Sequence, residues 1–126
     1  MKILNPKEFL LWGGVVLVVV GLLGYLGVIG PTPEQSIFGS AWWFDNAENV
    51  AHTVLGLVAI GASFYLNAVY QKWLTVAVGA LGVVVGLYSL AVSQALLGAN
   101  LENPADTVLH LAVGAWALYA AYWGKK

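Results

Sequence analysis

The sequence predicts an all-α fold: an integral membrane four-helix bundle built from two helical hairpins that repeat in parallel. Three observations carry this. Apolar residues make up 60% of the chain and charged residues 9%, whereas a soluble domain carries about 25% charged residues. Four apolar runs, 9–29, 47–68, 73–97 and 104–123, are each long enough, at about 1.5 Å per residue, to cross a hydrocarbon core of about 30 Å as helices. Finally, Asp45 to His52 and Asn103 to His110 show the same polar pattern at the starts of the second and fourth runs. A membrane barrel is excluded, because 15–23 is unbroken apolar sequence where a barrel strand would alternate.

The first run follows Asn5-Pro6-Lys7-Glu8, which supplies a capping residue, a proline at the first helical position and an acid in the first turn. Lys2 and Lys7 precede it as basic residues precede a signal peptide. The run is too long for a signal's apolar segment and no small-residue cleavage pattern follows, so it is expected to be a retained span. Residues 30–45 form the first connection, opened by Pro31 and Pro33 and closed by Ile37, Phe38, Trp42, Trp43 and Phe44. Aromatics at that density beside a span predict an outer interfacial segment lying along the headgroups, with a docking surface for a partner or lipid as the alternative. The second run opens on Asp45 as N-cap and Glu48 in the third position of a capping-box pattern. A tight connection around Tyr70-Gln71-Lys72 leads to the third run, and 98–102 leads to the fourth, where Asn103, Pro104 and Asp106 repeat the capping chemistry. First-turn acids of this kind complement the helix dipole for about 0.3–1 kcal/mol each. The whole of 1–126 reads as one transmembrane domain.

The single offset that aligns Asp45–His52 with 103–110 continues to Gly56 on Gly114 and Ala59 on Ala117. Val18-Val19-Val20-Gly21-Leu22 also recurs as Val83-Val84-Val85-Gly86-Leu87. The unit is helix, outer loop, helix, and with two spans per unit both copies point the same way, about an axis along the membrane normal. The chain has no arginine, and Lys2, Lys7, Lys72, Lys125 and Lys126 all fall on one side of a four-span topology, so both termini are expected to be cytoplasmic. Apart from Glu8 the acids (Glu34, Asp45, Glu48, Glu102, Asp106) fall at the other face. This predicts an acidic outer surface and argues against nucleic acid or anionic lipid as a partner there. Gly21, Gly24, Gly27 and Gly30 form an expected packing ridge on the first helix, and Gly79, Gly82 and Gly86 one on the third. Gly56, Ala59 and Ser63, with Gly114, Ala117 and Ala121, place small residues on the histidine faces of the other two helices, so both imidazoles are expected to point into the bundle.

The strings Ile37-Phe38-Gly39, Asn49-Val50-Ala51-His52 to Gly56, and Asn103 to His110 with Gly114 resemble a family of small bacterial four-helix membrane proteins known only as a domain of unknown function. That family carries Asn-x-x-His-x-x-x-Gly at the start of its second helix and Asp-x-x-Leu-His at the start of its fourth. The resemblance covers nearly the whole chain. It implies the four-helix fold and a bacterial inner membrane, and it names no activity.

His52 and His110 are the chain's two histidines, each four residues after an acid. At that spacing acid and imidazole share a helix face, and the side chain leans toward the acid. One expectation is a structural clasp, in which each histidine bonds across the bundle, with Ser93 or Gln94 of the third helix at similar depth. Such a contact in a membrane is worth about 0.6 kcal/mol and serves specificity more than stability. The other is a metal or cofactor site: Glu48, His52, Asp106 and His110 as ligands of a transition metal, or His52 and His110 holding haem or a pigment. The spacing does not fit a ferritin-like di-iron centre, which needs Glu-x-x-His and acids on the other helices, and no arginine or outer lysine awaits haem propionates. A proton pathway lacks ionisable groups below the histidines. With no cysteine, phosphate loop or serine beside a histidine, the chain is expected not to be an enzyme. A small accessory or structural subunit, in a larger membrane complex or a homo-oligomer and surrounded by lipid, is the function expected from sequence, with the cofactor binder as the alternative.

Overall fold

The computed structural model of the chain describes residues 5–93, 95–96, 99–100 and 105–124. They form an all-α four-helix bundle: α1 (Pro6–Tyr25), α2 (Asn46–Tyr65), α3 (Ala68–Ala91) and α4 (Ala105–Trp123). A short antiparallel pair, β1 (Ala95–Leu96) with β2 (Ala99–Asn100), precedes α4. α1, α2 and α3 are long and apolar enough to cross a membrane. α4 is similar in length, with 19 residues, and carries Asp106 and His110 in its first two turns.

Caps set the helix starts. Asn5 Oδ1 accepts from Glu8 N at 2.8 Å, and Asp45 Oδ1 accepts from Glu48 N at 2.9 Å while Glu48 Oε1 receives Asp45 N at 3.4 Å, a complete capping box. Asn67 Oδ1 accepts from Tyr70 N at 3.1 Å. That third cap moves the second connection: the chain breaks at Leu66–Asn67, and Tyr70-Gln71-Lys72, expected as a turn, are helical. α1 ends at Tyr25 rather than 29, because Gly27 and Gly30 adopt positive φ of 79° and 152°, backbone that glycine reaches without a Cβ penalty. The glycine ridge expected to continue through Gly27 and Gly30 therefore stops at Gly24. α3 ends at Ala91, short of 97, with Val92 and Ser93 N–H groups both turned to the Tyr88 carbonyl.

Each helix pair closes where two backbones meet. A methyl group on Gly56 would lie 2.7 Å from the Gly14 carbonyl oxygen and 2.9 Å from Val18 N, and one on Gly14 would lie 2.8 Å from Ile60 Cγ1. On the other pair, a methyl on Gly114 would lie 2.9 Å from the Gly79 carbonyl oxygen and 3.0 Å from Val83 N, and one on Gly79 would lie 2.8 Å from Leu118 Cγ. The alignment that sets His52 on His110 sets Gly56 on Gly114 and Ile60 on Leu118; the one that sets Val18 on Val83 sets Gly14 on Gly79. Such small-residue approaches supply the contact that lipid does not drive by hydrophobicity. Gly14 was not part of the ridge expected from sequence.

The hairpins meet through α1, which touches α3 and α4 as well as α2. Phe9 meets Trp116 edge-on at 4.6 Å, beside the fully buried Leu10, Ala117 and Ala120. Buried Gln71 of α3 donates Nε2 to the carbonyls of Ala62 and Ser63 at the end of α2, at 3.2 and 3.0 Å. At this same end Lys7 and Gln71 line one groove, and Lys72 Nζ stands 5.4 Å from the ring centres of Trp73 and Tyr122. The described lysines thus share one end of the bundle, and the starts of α2 and α4 lie at the other. Lys2, Lys125, Lys126, Glu102, Asn103 and Pro104 lie outside the described residues.

Candidate functional site

The end of the first connection is built to present two rings. Phe44 N donates to the Ile29 carbonyl at 2.7 Å, and the Phe44 carbonyl accepts Asn49 Nδ2 at 3.4 Å. Gly30 packs against that carbonyl where a side chain has no room. Ser36 Oγ donates to the Trp42 carbonyl at 2.6 Å. So held, buried Phe44 meets His52 edge-on, centroids 5.0 Å apart, and Trp42 meets Phe44 at 5.2 Å.

Trp42 then crosses to the second hairpin. Its indole Nε1 donates to Asp106 Oδ1 at 3.0 Å, and His110 Nδ1 donates to the Asp106 carbonyl at 2.7 Å. A continuous line of contacts, His52–Phe44–Trp42–Asp106–His110, joins the two histidines. Both imidazoles are half-buried, and at this end of the bundle Trp42 and Asp106 make a bond between the hairpins. His52 Nδ1 is buried without a hydrogen-bond partner among the described residues.

The acids behave differently from the sequence expectation. Glu48 is 3% exposed and Asp106 1%, so neither contributes to an acidic outer surface; of the described outer acids, Glu34 is exposed and Asp45 half-exposed. A buried carboxylate needs donors: Glu48 turns back to the Asp45 N–H, and Asp106 takes the indole. The pairing of each carboxylate with its own helix's histidine gives way to these bonds. Among the described residues no group of three or more His, Asp or Glu side chains is close enough to hold a metal ion. Glu48, His52, Asp106 and His110 do not form such a group.

Of the supporting residues, Ser93 lies past the end of α3 with its N–H on the Tyr88 carbonyl at 3.1 Å, and Gln94 lies outside the described residues. A polar link between α3 and α4 is made by Ser89, whose Oγ lies 2.7 Å from Thr107 Oγ1, both buried. Asn49, at 0% exposure, was not singled out as a site residue. Its Oδ1 has no N–H or O–H partner among the described residues and packs on Gly24, where a Cα–H is its neighbour. The repeat alignment could have found it: Asn49 falls on Thr107, and the two carbonyls face Gly21 and Gly86 respectively. Trp42 carried no signal beyond its place in an aromatic run.

No protein-family model, no curated protein and no solved structure matches this chain.

Proposed function

We propose that this is a non-enzymatic four-span protein of the bacterial inner membrane, with both termini cytoplasmic, acting as an accessory or structural subunit of a membrane assembly. Its kinship with the four-helix family of unknown function belongs to the same proposal, as does an origin by duplication of one hairpin, which the matching glycine crossings support. The observation that carries the functional reading is the Trp42–Asp106 bond. It joins the first outer connection to the second hairpin with a buried carboxylate, so the polar groups of the outer rim go into holding a shape. Lysines gathered at one end support the orientation.

The test is extraction in mild detergent from native membranes, followed by affinity capture through a tag. Recovery with stoichiometric partners or as a homo-oligomer is the expected result. A monodisperse monomer that captures nothing overturns the assembly role.

One observation favours a second reading, in which His52 and His110 hold haem or a pigment. The Nδ1–H of His110 is engaged by a carbonyl, which makes Nε2 the nitrogen with the lone pair, and His52 Nδ1 is buried without a partner among the described residues. A visible absorption band that disappears in His110→Ala would establish this reading, and colourless protein from cells supplied with haem would end it.

A further inference from the structure

We propose that Ile37 and Phe38 form a wedge that enters the headgroup–acyl boundary of the outer leaflet, an apolar contact with a lipid surface that needs no anionic headgroup. It rests on the membrane-spanning reading above. Ile37 is 72% and Phe38 51% exposed, on backbone that is pinned rather than loose. Ile37 N donates to the Val28 carbonyl at 2.8 Å, Phe38 N donates to Ser36 Oγ at 3.1 Å, Ile29 and Ser36 form an antiparallel bridge, and the Phe38 ring lies 5.2 Å from Trp42.

Position identifies the occupant. The outward stripe of α1 runs through Trp12, Val16, Val19 and Leu22 to Leu26, all exposed. On a helix that crosses the bilayer this stripe faces lipid. Val28, the backbone partner of Ile37, stands two residues beyond its end. The wedge thus prolongs a lipid-facing surface to the height where aromatic and branched apolar side chains lodge among headgroups. No lysine or arginine occurs between Lys7 and Lys72, and 30–44 contains one charged residue, Glu34. A segment without cations gains nothing from anionic lipid.

The chain has no cysteine, so single cysteines can be labelled cleanly with an environment-sensitive fluorophore. Full-length Ile37→Cys, Phe38→Cys, Glu34→Cys and Val19→Cys proteins are reconstituted in phosphatidylcholine vesicles, with and without phosphatidylglycerol. Labels at 37 and 38 should be blue-shifted, quenched several-fold more than the label at 34 by lipid spin-labelled high on the acyl chain, protected from iodide, and unchanged by phosphatidylglycerol. The Val19 label, mid-α1, should respond to spin label near the chain end. Iodide access at 37 and 38 equal to that at 34, with the Val19 response kept, overturns the wedge alone. Loss of the Val19 response overturns the span. Protection that disappears on dilution to one protein per vesicle, or quenching that grows with phosphatidylglycerol, overturns the proposal in favour of a second copy or of charge recognition.

Discussion

Gly56→Ala and Gly61→Ala place the same methyl group on one helix, five residues apart, and the structure assigns them opposite outcomes. At Gly56 the methyl would meet the Gly14 carbonyl oxygen at 2.7 Å and Val18 N at 2.9 Å, whereas ordinary contact begins at 3.4 Å. Two of the atoms it meets are backbone and cannot rotate aside, so α1 and α2 must separate by roughly half an ångström, which in a close-packed interior costs about 1–3 kcal/mol. At Gly61 nothing lies within 4 Å. Alanine gains up to about 1 kcal/mol over glycine in helix propensity at either site. The balance leaves Gly56→Ala less stable than the parent by up to about 2 kcal/mol and Gly61→Ala up to about 1 kcal/mol more stable. The assay is loss of helical circular dichroism as mild-detergent micelles are titrated with sodium dodecyl sulfate. Gly114→Ala serves as the replicate on the second pair and should track Gly56→Ala. Equal midpoints for the Gly56 and Gly61 variants, or the reverse order, would refute the idea that backbone contact at these glycines sets the crossings.

Trp42→Phe keeps a ring beside Phe44 and removes the donor to buried Asp106; the same titration should show a loss of about 1 kcal/mol, and parental stability would mean the bond contributes nothing. Gly24→Ala sets a methyl on the Asn49 amide, breaks its bond to Phe44 and should lower stability by about 2 kcal/mol; adding Asn49→Ala should restore part of that, and strict additivity of the two would refute a direct contact. Gln71→Leu strips a donor from the last carbonyls of α2 and should cost about 1–3 kcal/mol, with slower amide exchange there counting against it. Metal analysis of purified protein should return less than stoichiometric zinc, copper and iron, since no three ligating side chains come together among the described residues.

The architecture was largely legible because membrane helices are written in long, redundant signals. Apolar runs, Asn5 and Asp45 as caps, and Gly56 against Gly114 each depend on a few neighbouring residues or on one offset. Where the sequence misled, a local signal was overridden or overlooked. Gly27 and Gly30 have the spacing of a packing ridge, yet positive φ serves a turn as well as absence of a side chain serves packing, and composition does not tell these apart. Asn67 has the side chain of a cap, and its bond to Tyr70 N starts α3 at Ala68, ahead of the apolar run that begins at Trp73. For the candidate site the sequence shows only that Glu48, His52, Asp106 and His110 stand in the first turns of α2 and α4. Which atom bonds to which depends on Trp42 reaching across from a connection whose path no periodicity specifies.

The central position of α1 has a bearing on how the molecule is made. A helix that is synthesised before the other three and borders each of them can act as a template. The first hairpin can zip together at Gly14 and Gly56 while the remainder is still being synthesised, and the second, closing on its own glycines, then docks against a surface already in place. Errors in α1 should therefore propagate through the entire bundle, whereas the outward side of α2, bordered chiefly by α1, should tolerate change.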